Sequence, residues 1–214
     1  MRARVLIMWA MLMMSALVYA KTIATPYGIS IINTKETKLQ DVSGVLMDTD
    51  KSQCYGGLVV SSALVFKDGQ CVVFIPKEAK RTTMDGGRVE DILKRDAVGD
   101  ILCNQGKGTA HFVDGHSNVT EQELSEAMRL VAKMSDAGAL DMAVCFEYPN
   151  GRDVCFRPDA KITGFDMNLM THVIGVNACQ DGKAVSFRLF FSEKAYSNKD
   201  KYIEAFIHDC LNAQ

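Results

Sequence analysis

The chain carries none of the short signatures that announce a reaction: no G-x-S-x-G, no P-loop and no dinucleotide fingerprint. The serine-hydrolase elbow, the nucleotide-phosphate cradle and the Rossmann cofactor site are therefore not starting points, and no metal or cofactor is implied. Basic residues are not in excess either. The 24 lysines and arginines are scattered among 26 acids, so no stripe tracks a phosphate backbone and nucleic acid is not an expected partner. Beyond the first twenty residues no apolar run approaches the roughly 20 residues that a bilayer span needs.

What is present begins with Arg2 and Arg4, an apolar run from Val5 to Val18, and small residues at the cleavage-determining positions of Val18-Tyr19-Ala20. This is the order of a secretory signal peptide. Residues 1–20 are expected to be removed, leaving a mature chain from Lys21 with no transmembrane segment, in an extracellular, lumenal or periplasmic setting. Losing Arg2 and Arg4 moves the formal net charge from −2 to −4. The remaining length suits one domain or two small ones.

The mature part contains an internal echo. Val72-Val73-Phe74-Ile75-Pro76 followed by Ala79-Lys80 and Asp85 is matched by Val154-Cys155-Phe156-Arg157-Pro158 followed by Ala160-Lys161 and Asp166. Downstream, Cys103-Asn104-Gln105-Gly106-Lys107 matches Cys179-Gln180-Asp181-Gly182-Lys183, and Glu126-Ala127-Met128 matches Glu204-Ala205-Phe206. The expected organisation is a leader strand and loop over residues 21–56, a first unit over 57–137 and a second over 138–214, together forming one compact domain.

Within the leader, Ile29 to Ile32 reads as a strand, and Val45-Leu46-Met47 as a short strand in a polar loop. Leu58 to Phe66 and Cys71 to Ile75 form a hairpin around Lys67-Asp68-Gly69. Both its faces are apolar, Leu64, Phe66, Val73 and Ile75 on one and Ala63, Val65, Val72 and Phe74 on the other, so it should lie centrally. A short helix with Val89, Ile92, Leu93 and Ala97, and a hairpin from Val98 to Phe112, follow. Thr120-Glu121-Gln122-Glu123 is a capping box opening a helix with Leu124, Ala127, Met128, Val131 and Met134 on one face.

In the second unit, Tyr148-Pro149-Asn150-Gly151 suits a type I turn with a bulge, because proline forbids the type I′ alternative. That loop sets Val144 opposite Phe156, Phe146 opposite Val154, and Cys145 opposite Cys155. Asp181-Gly182 suits a two-residue turn that puts Ile174, Val176 and Ala178 on one face with Val185, Phe187 and Leu189, and turns Cys179 to the other. The last helix buries Ile203, Phe206, Ile207, Cys210 and Leu211, with Ser197 and Asp200 at its start. The plan is α+β: antiparallel β-hairpins with helices packed on one side, an internal duplication of a ββ-(α)-ββ-α unit.

All seven cysteines, Cys54, Cys71, Cys103, Cys145, Cys155, Cys179 and Cys210, lie in the mature part. A secreted chain pairs its cysteines by default. The best-specified bridge is Cys145–Cys155, at a non-hydrogen-bonded position where Cα atoms stand about 4.5 Å apart. Composition also permits Cys179 with Cys210, and Cys54 with Cys71 or Cys103. The odd count leaves one thiol over, or joins it to another molecule.

His111, Asp114 and His116 fall within six residues, but Asp114-Gly115 is a turn signal and solvated histidines are the expected outcome there. Val176-Asn177-Ala178-Cys179 after a strand, with Gly115-His116 upstream, resembles the strand-end cysteine and the histidine of caspase-like peptidases. Those enzymes follow the histidine with glycine, whereas Ser117 follows here, and their cysteine does not end a hairpin strand. Asn118-Val119-Thr120 is an N-glycosylation acceptor, and Thr120 is at the same time the helix cap.

These features point to a secreted, disulfide-stabilised binding or interaction protein for an unidentified protein or small-molecule ligand. The groove at a pseudo-twofold axis between the two units is the first place for a ligand, and the more polar strand face, with Glu147, Asp153, Arg157, Ser186 and Arg188, is the second candidate surface. The alternatives are an extracellular hydrolase using Cys179 with His116 or His172, and a structural component of a coat or matrix.

Overall fold

The computed structural model describes residues 22–24, 30–32, 34–48, 59–78, 80–81, 87–105, 119–133, 142–149, 155–156, 166–180 and 182–211. Strands β4 (Val59–Phe66) and β5 (Cys71–Pro76) form the predicted hairpin. Gly69 takes φ +68° at its turn, the left-handed conformation that glycine adopts without steric cost. Leu64, Phe66, Val73 and Ile75 pack into one apolar cluster. Ala63, Val65, Val72 and Phe74 pack into a second, on the opposite side of the sheet.

The remaining strands are β1 (Thr22–Ala24), β2 (Ser30–Ile32), β3 (Thr37–Asp48), β6 (Lys80–Arg81), β7 (Val131–Lys133), β8 (Met142–Glu147), β9 (Cys155–Phe156), β10 (Met170–Gln180) and β11 (Lys183–Ser192). β1 and β2 make a separate ribbon. The main sheet runs β7-β8-β10-β11-β5-β4-β3-β9, with β6 beside the start of β11. Every pairing is antiparallel. The predicted β10–β11 hairpin forms, with Gln180 opposite Lys183 and Gly182 at φ +69°.

Helices α1 (Val89–Asn104) and α2 (Glu121–Arg129) cover one face. Helices α3 (Glu193–Tyr196) and α4 (Lys199–Glu204), continued by a π-helical stretch from Ala205 to Leu211, cover the other. The fold is α+β on an antiparallel sheet, with helices on both faces rather than one. The reason is in the strands: β4, β5, β10 and β11 are apolar on both sides, and each buried large side chain contributes about 1.5–3 kcal/mol. The predicted C-terminal stripe, Ile203, Phe206, Ile207, Cys210 and Leu211, is buried.

Several expectations give way. The Val98–Phe112 segment does not begin a hairpin, because α1 continues through Gly99 to Asn104 and buries Leu93, Ala97, Val98, Ile101 and Leu102 on one stripe. The helix capped by Thr120 and Glu123 forms, but it ends at Arg129, leaving Met128 60% exposed and Val131 in β7. β3 is a twelve-residue strand where a loop with a short strand is expected. The duplication is not confirmed: among the described residues Val72–Pro76 is a central strand, and Cys155–Phe156 pairs with the far edge of β3.

The Cys145–Cys155 register is also replaced. β8 has β7 on one edge, where Ala132 stands opposite Cys145, and β10 on the other, where Val176 does. Cys155 instead stands opposite Asp48. Cys71, Cys145, Cys179 and Cys210 are thiols, not half-cystines. Cys179 and Cys210 belong to clusters on opposite faces of the sheet, which excludes their pairing.

Candidate functional site

Two polar clusters stand out, one on each face of the β8-β10-β11 region. The three-strand register decides their membership. Glu147, Ile174 and Leu189 lie in one row across the strands, and Phe146, Gly175 and Arg188 in the next, so the two rows face opposite ways.

The second row builds a buried cluster beneath α1. A Cβ on Gly175 would come within 2.0 Å of the Phe146 ring, so glycine is what lets that ring lie across β10. Arg188 then rests on it, its guanidinium carbon 5.3 Å from the Phe146 centroid and 5.1 Å from that of Tyr148. Arg188 Nη2 donates to Asp100 Oδ2 of α1 at 3.1 Å, and Nη1 donates to the Phe187 carbonyl at 3.1 Å and to Ser186 Oγ. Ser186 Oγ donates to Asn177 Oδ1 at 2.7 Å. Burial opposes the charge on Arg188, but Tyr148 and Asp100 outweigh it and hold the guanidinium above its ordinary value. Burial pushes the Tyr148 phenol up. This cluster is a closed network that clamps α1 to the sheet.

The first row builds an open cluster where β8 ends, β10 begins and α3 meets α4. The His172 ring stacks on Tyr196, centroids 3.7 Å apart and planes 9° from parallel. Tyr196 Oη donates to Glu147 Oε1 at 3.0 Å, and Lys199 Nζ donates to the same oxygen and lies 4.5 Å from the Tyr196 ring centroid. Glu193 Oε2 accepts from His172 Nε2 at 3.0 Å and from Thr171 Oγ1 at 3.3 Å. Tyr196 closes α3 and Lys199 opens α4, and the turn at Ser197-Asn198 between them brings both side chains to Glu147.

The expected binding face is thus divided. Glu147 is in the open cluster; Ser186 and Arg188 are buried on the other side of the sheet. Asp153 and Arg157 lie outside the described residues, as do Asn118, His111, His116 and Cys54. His172 and Cys179 share β10 but are seven residues, roughly 23 Å, apart, and their side chains point to opposite faces. Among the described residues no group of three or more His, Cys, Asp or Glu stands together as a metal site, and no helix is long and apolar enough to cross a membrane.

The buried thiols are poor nucleophiles. Burial first, and Asp200 second, push Cys145 up to about 12. Burial and then Asp209 do the same to Cys210, against a hydrogen bond to Thr37, and burial raises Cys71.

No family model matches the chain, and no curated protein matches it. Among solved structures it is similar to the solution structure of cyanobacterial PsbP (CyanoP) from Synechocystis sp. PCC 6803, at 13% identity and a TM-score of 0.39, covering 89% of this chain and 92% of that one. A likeness this distant carries no argument about function.

Proposed function

We propose that the chain is an exported binding protein that engages its partner through the open cluster of Glu147, His172, Glu193, Tyr196 and Lys199. The observation that supports it is the stacked His172–Tyr196 pair, held at the surface by two carboxylates. Ring residues fixed in one geometry give contact area while losing little rotamer freedom on binding. The buried Arg188 cluster is spent on holding α1. Export rests on the N-terminal pattern of residues 1–20.

A benzophenone crosslinker placed at Lys194, beside the cluster, tests the reading against one at Lys77, which is exposed on the β5 end. With the protein expressed and exported from its own host, a discrete adduct is expected at Lys194 and not at Lys77, weakened by Tyr196→Ala. Identical adducts at both positions, or none at either, would overturn it. The mass of the exported chain should begin at Lys21.

A further inference from the structure

Strand β4 loses its regular pairing on both edges at one level, far from either polar cluster. Against β3, Asp41 stands opposite Ser62 and Val45 opposite Val60, so Val42, Ser43 and Gly44 face Ser61 alone. Against β5, Val60 stands opposite Pro76 and Ser62 opposite Ile75, so Ser61 is an extra residue there too. Residues two apart on a strand normally share a face. Here Val60 packs with Ala63 in one apolar cluster, whereas Ile75, opposite Ser62, packs with Leu64 and Phe66 in the other. The extra residue turns Ser62 over, into that second face.

There Ser62 is 7% exposed, and among the described residues its Oγ is the one buried side-chain oxygen or nitrogen without a hydrogen-bond partner. The neighbouring Ser61 does find one, donating from Oγ to the Ile75 carbonyl at 3.2 Å. A bare buried hydroxyl lowers a folding constant roughly five- to hundredfold, and native proteins rarely keep one. The β3 bulge holds what Ser62 lacks: its two residues in excess bring backbone N–H and C=O groups that Ser61 cannot all pair. We propose that a water molecule is bound inside the sheet layer at this level, bonded to Ser62 Oγ and to the backbone of Val42 to Gly44. A hydroxyl beside unpaired backbone groups offers the two to four partners that an internal water takes. The water joins the two registers of β3, Thr37–Asp41 and Val45–Leu46, where the ladder does not.

The test is water-to-amide cross-relaxation by NMR on the mature protein, with urea unfolding of the wild type and Ser62→Ala alongside. A long-lived water contact is expected at the amide protons of Ser62 and of Val42 to Gly44. Ser62→Ala should weaken or abolish that contact and lower the folding constant about fivefold. Absence of any long-lived water at these amides in the wild type would overturn the proposal. So would a Ser62→Ala variant at least as stable as the wild type, because removing a hydroxyl that pairs with nothing relieves a cost. A contact undiminished in Ser62→Ala would also overturn it, since the water would then be held by other groups.

Discussion

The buried and open clusters are built from similar parts, a basic side chain bonded to an acid and lying against aromatic rings, yet they play opposite parts. Arg188 lies under α1 with its side chain 11% exposed, bonded to Asp100, Ser186 and the Phe187 carbonyl. Lys199 makes the same kinds of contact at 31% exposure. In the first place neither partner can be lost alone without leaving a buried charge unpaired; in the second the pair arranges a surface. Depth, not composition, separates a structural clamp from a recognition element.

The largest expected effect breaks the buried member. Asp100→Ala leaves the Arg188 charge without its acid and should cost about 3–5 kcal/mol in urea unfolding. Replacing both, Asp100→Leu with Arg188→Met, should return most of that loss; a double variant as unstable as the single one would show that the pair itself holds α1. Next comes Gly175→Ala, which drives a methyl into the Phe146 ring and should cost about 1–3 kcal/mol. A Gly175→Ala variant with wild-type stability would mean that Phe146 moves aside freely.

The cysteines give an effect that depends on pH. Cys145 is held neutral in the fold up to about 12, against about 8.5 in an unfolded chain. The native state therefore binds one more proton than the unfolded state between these values. Its contribution is intact below about pH 8.5 and is lost as pH rises toward 12, with a slope of about 1.4 kcal/mol per pH unit. Cys145→Ala should flatten the alkaline fall in thermal stability by that slope, whatever it does at neutral pH. The smallest effect belongs to the open cluster: Lys199→Met should change stability by about 1 kcal/mol or less, with the wild-type advantage fading at high salt.

Much of the sheet is legible in the chain. Turn chemistry at Asp68-Gly69 and Asp181-Gly182 fixes two hairpins, and alternation along β4, β5, β10 and β11 assigns each residue to its face, as found. Local pattern fails where neighbours along the chain are not neighbours in the sheet. The proline turn after Tyr148 predicts a hairpin, but β8 fills both edges with β7 and β10, a choice set by long-range pairing. The segment from Val98 reads as the first strand of a hairpin, yet the apolar stripe from Leu93 to Leu102 carries the helix through Gly99 and outweighs about 1 kcal/mol of glycine penalty.

The candidate site is less legible than the fold. Glu147 and His172 are picked from the sequence, for different reasons, and the structure joins them. Nothing in the chain says that Tyr196 and Lys199 lie within reach of Glu147, some fifty residues earlier. Ser186 and Arg188 read as surface because polar residues on a strand usually face water. They face a helix whose full length the pattern does not show.

The position of β11 has a consequence for how the molecule reaches its working form. This strand follows every other described strand in sequence, yet it lies in the middle of the sheet between β10 and β5. The two halves of the sheet therefore cannot close until β11 is in place. Pairings this distant in sequence form slowly, on the scale of milliseconds to seconds.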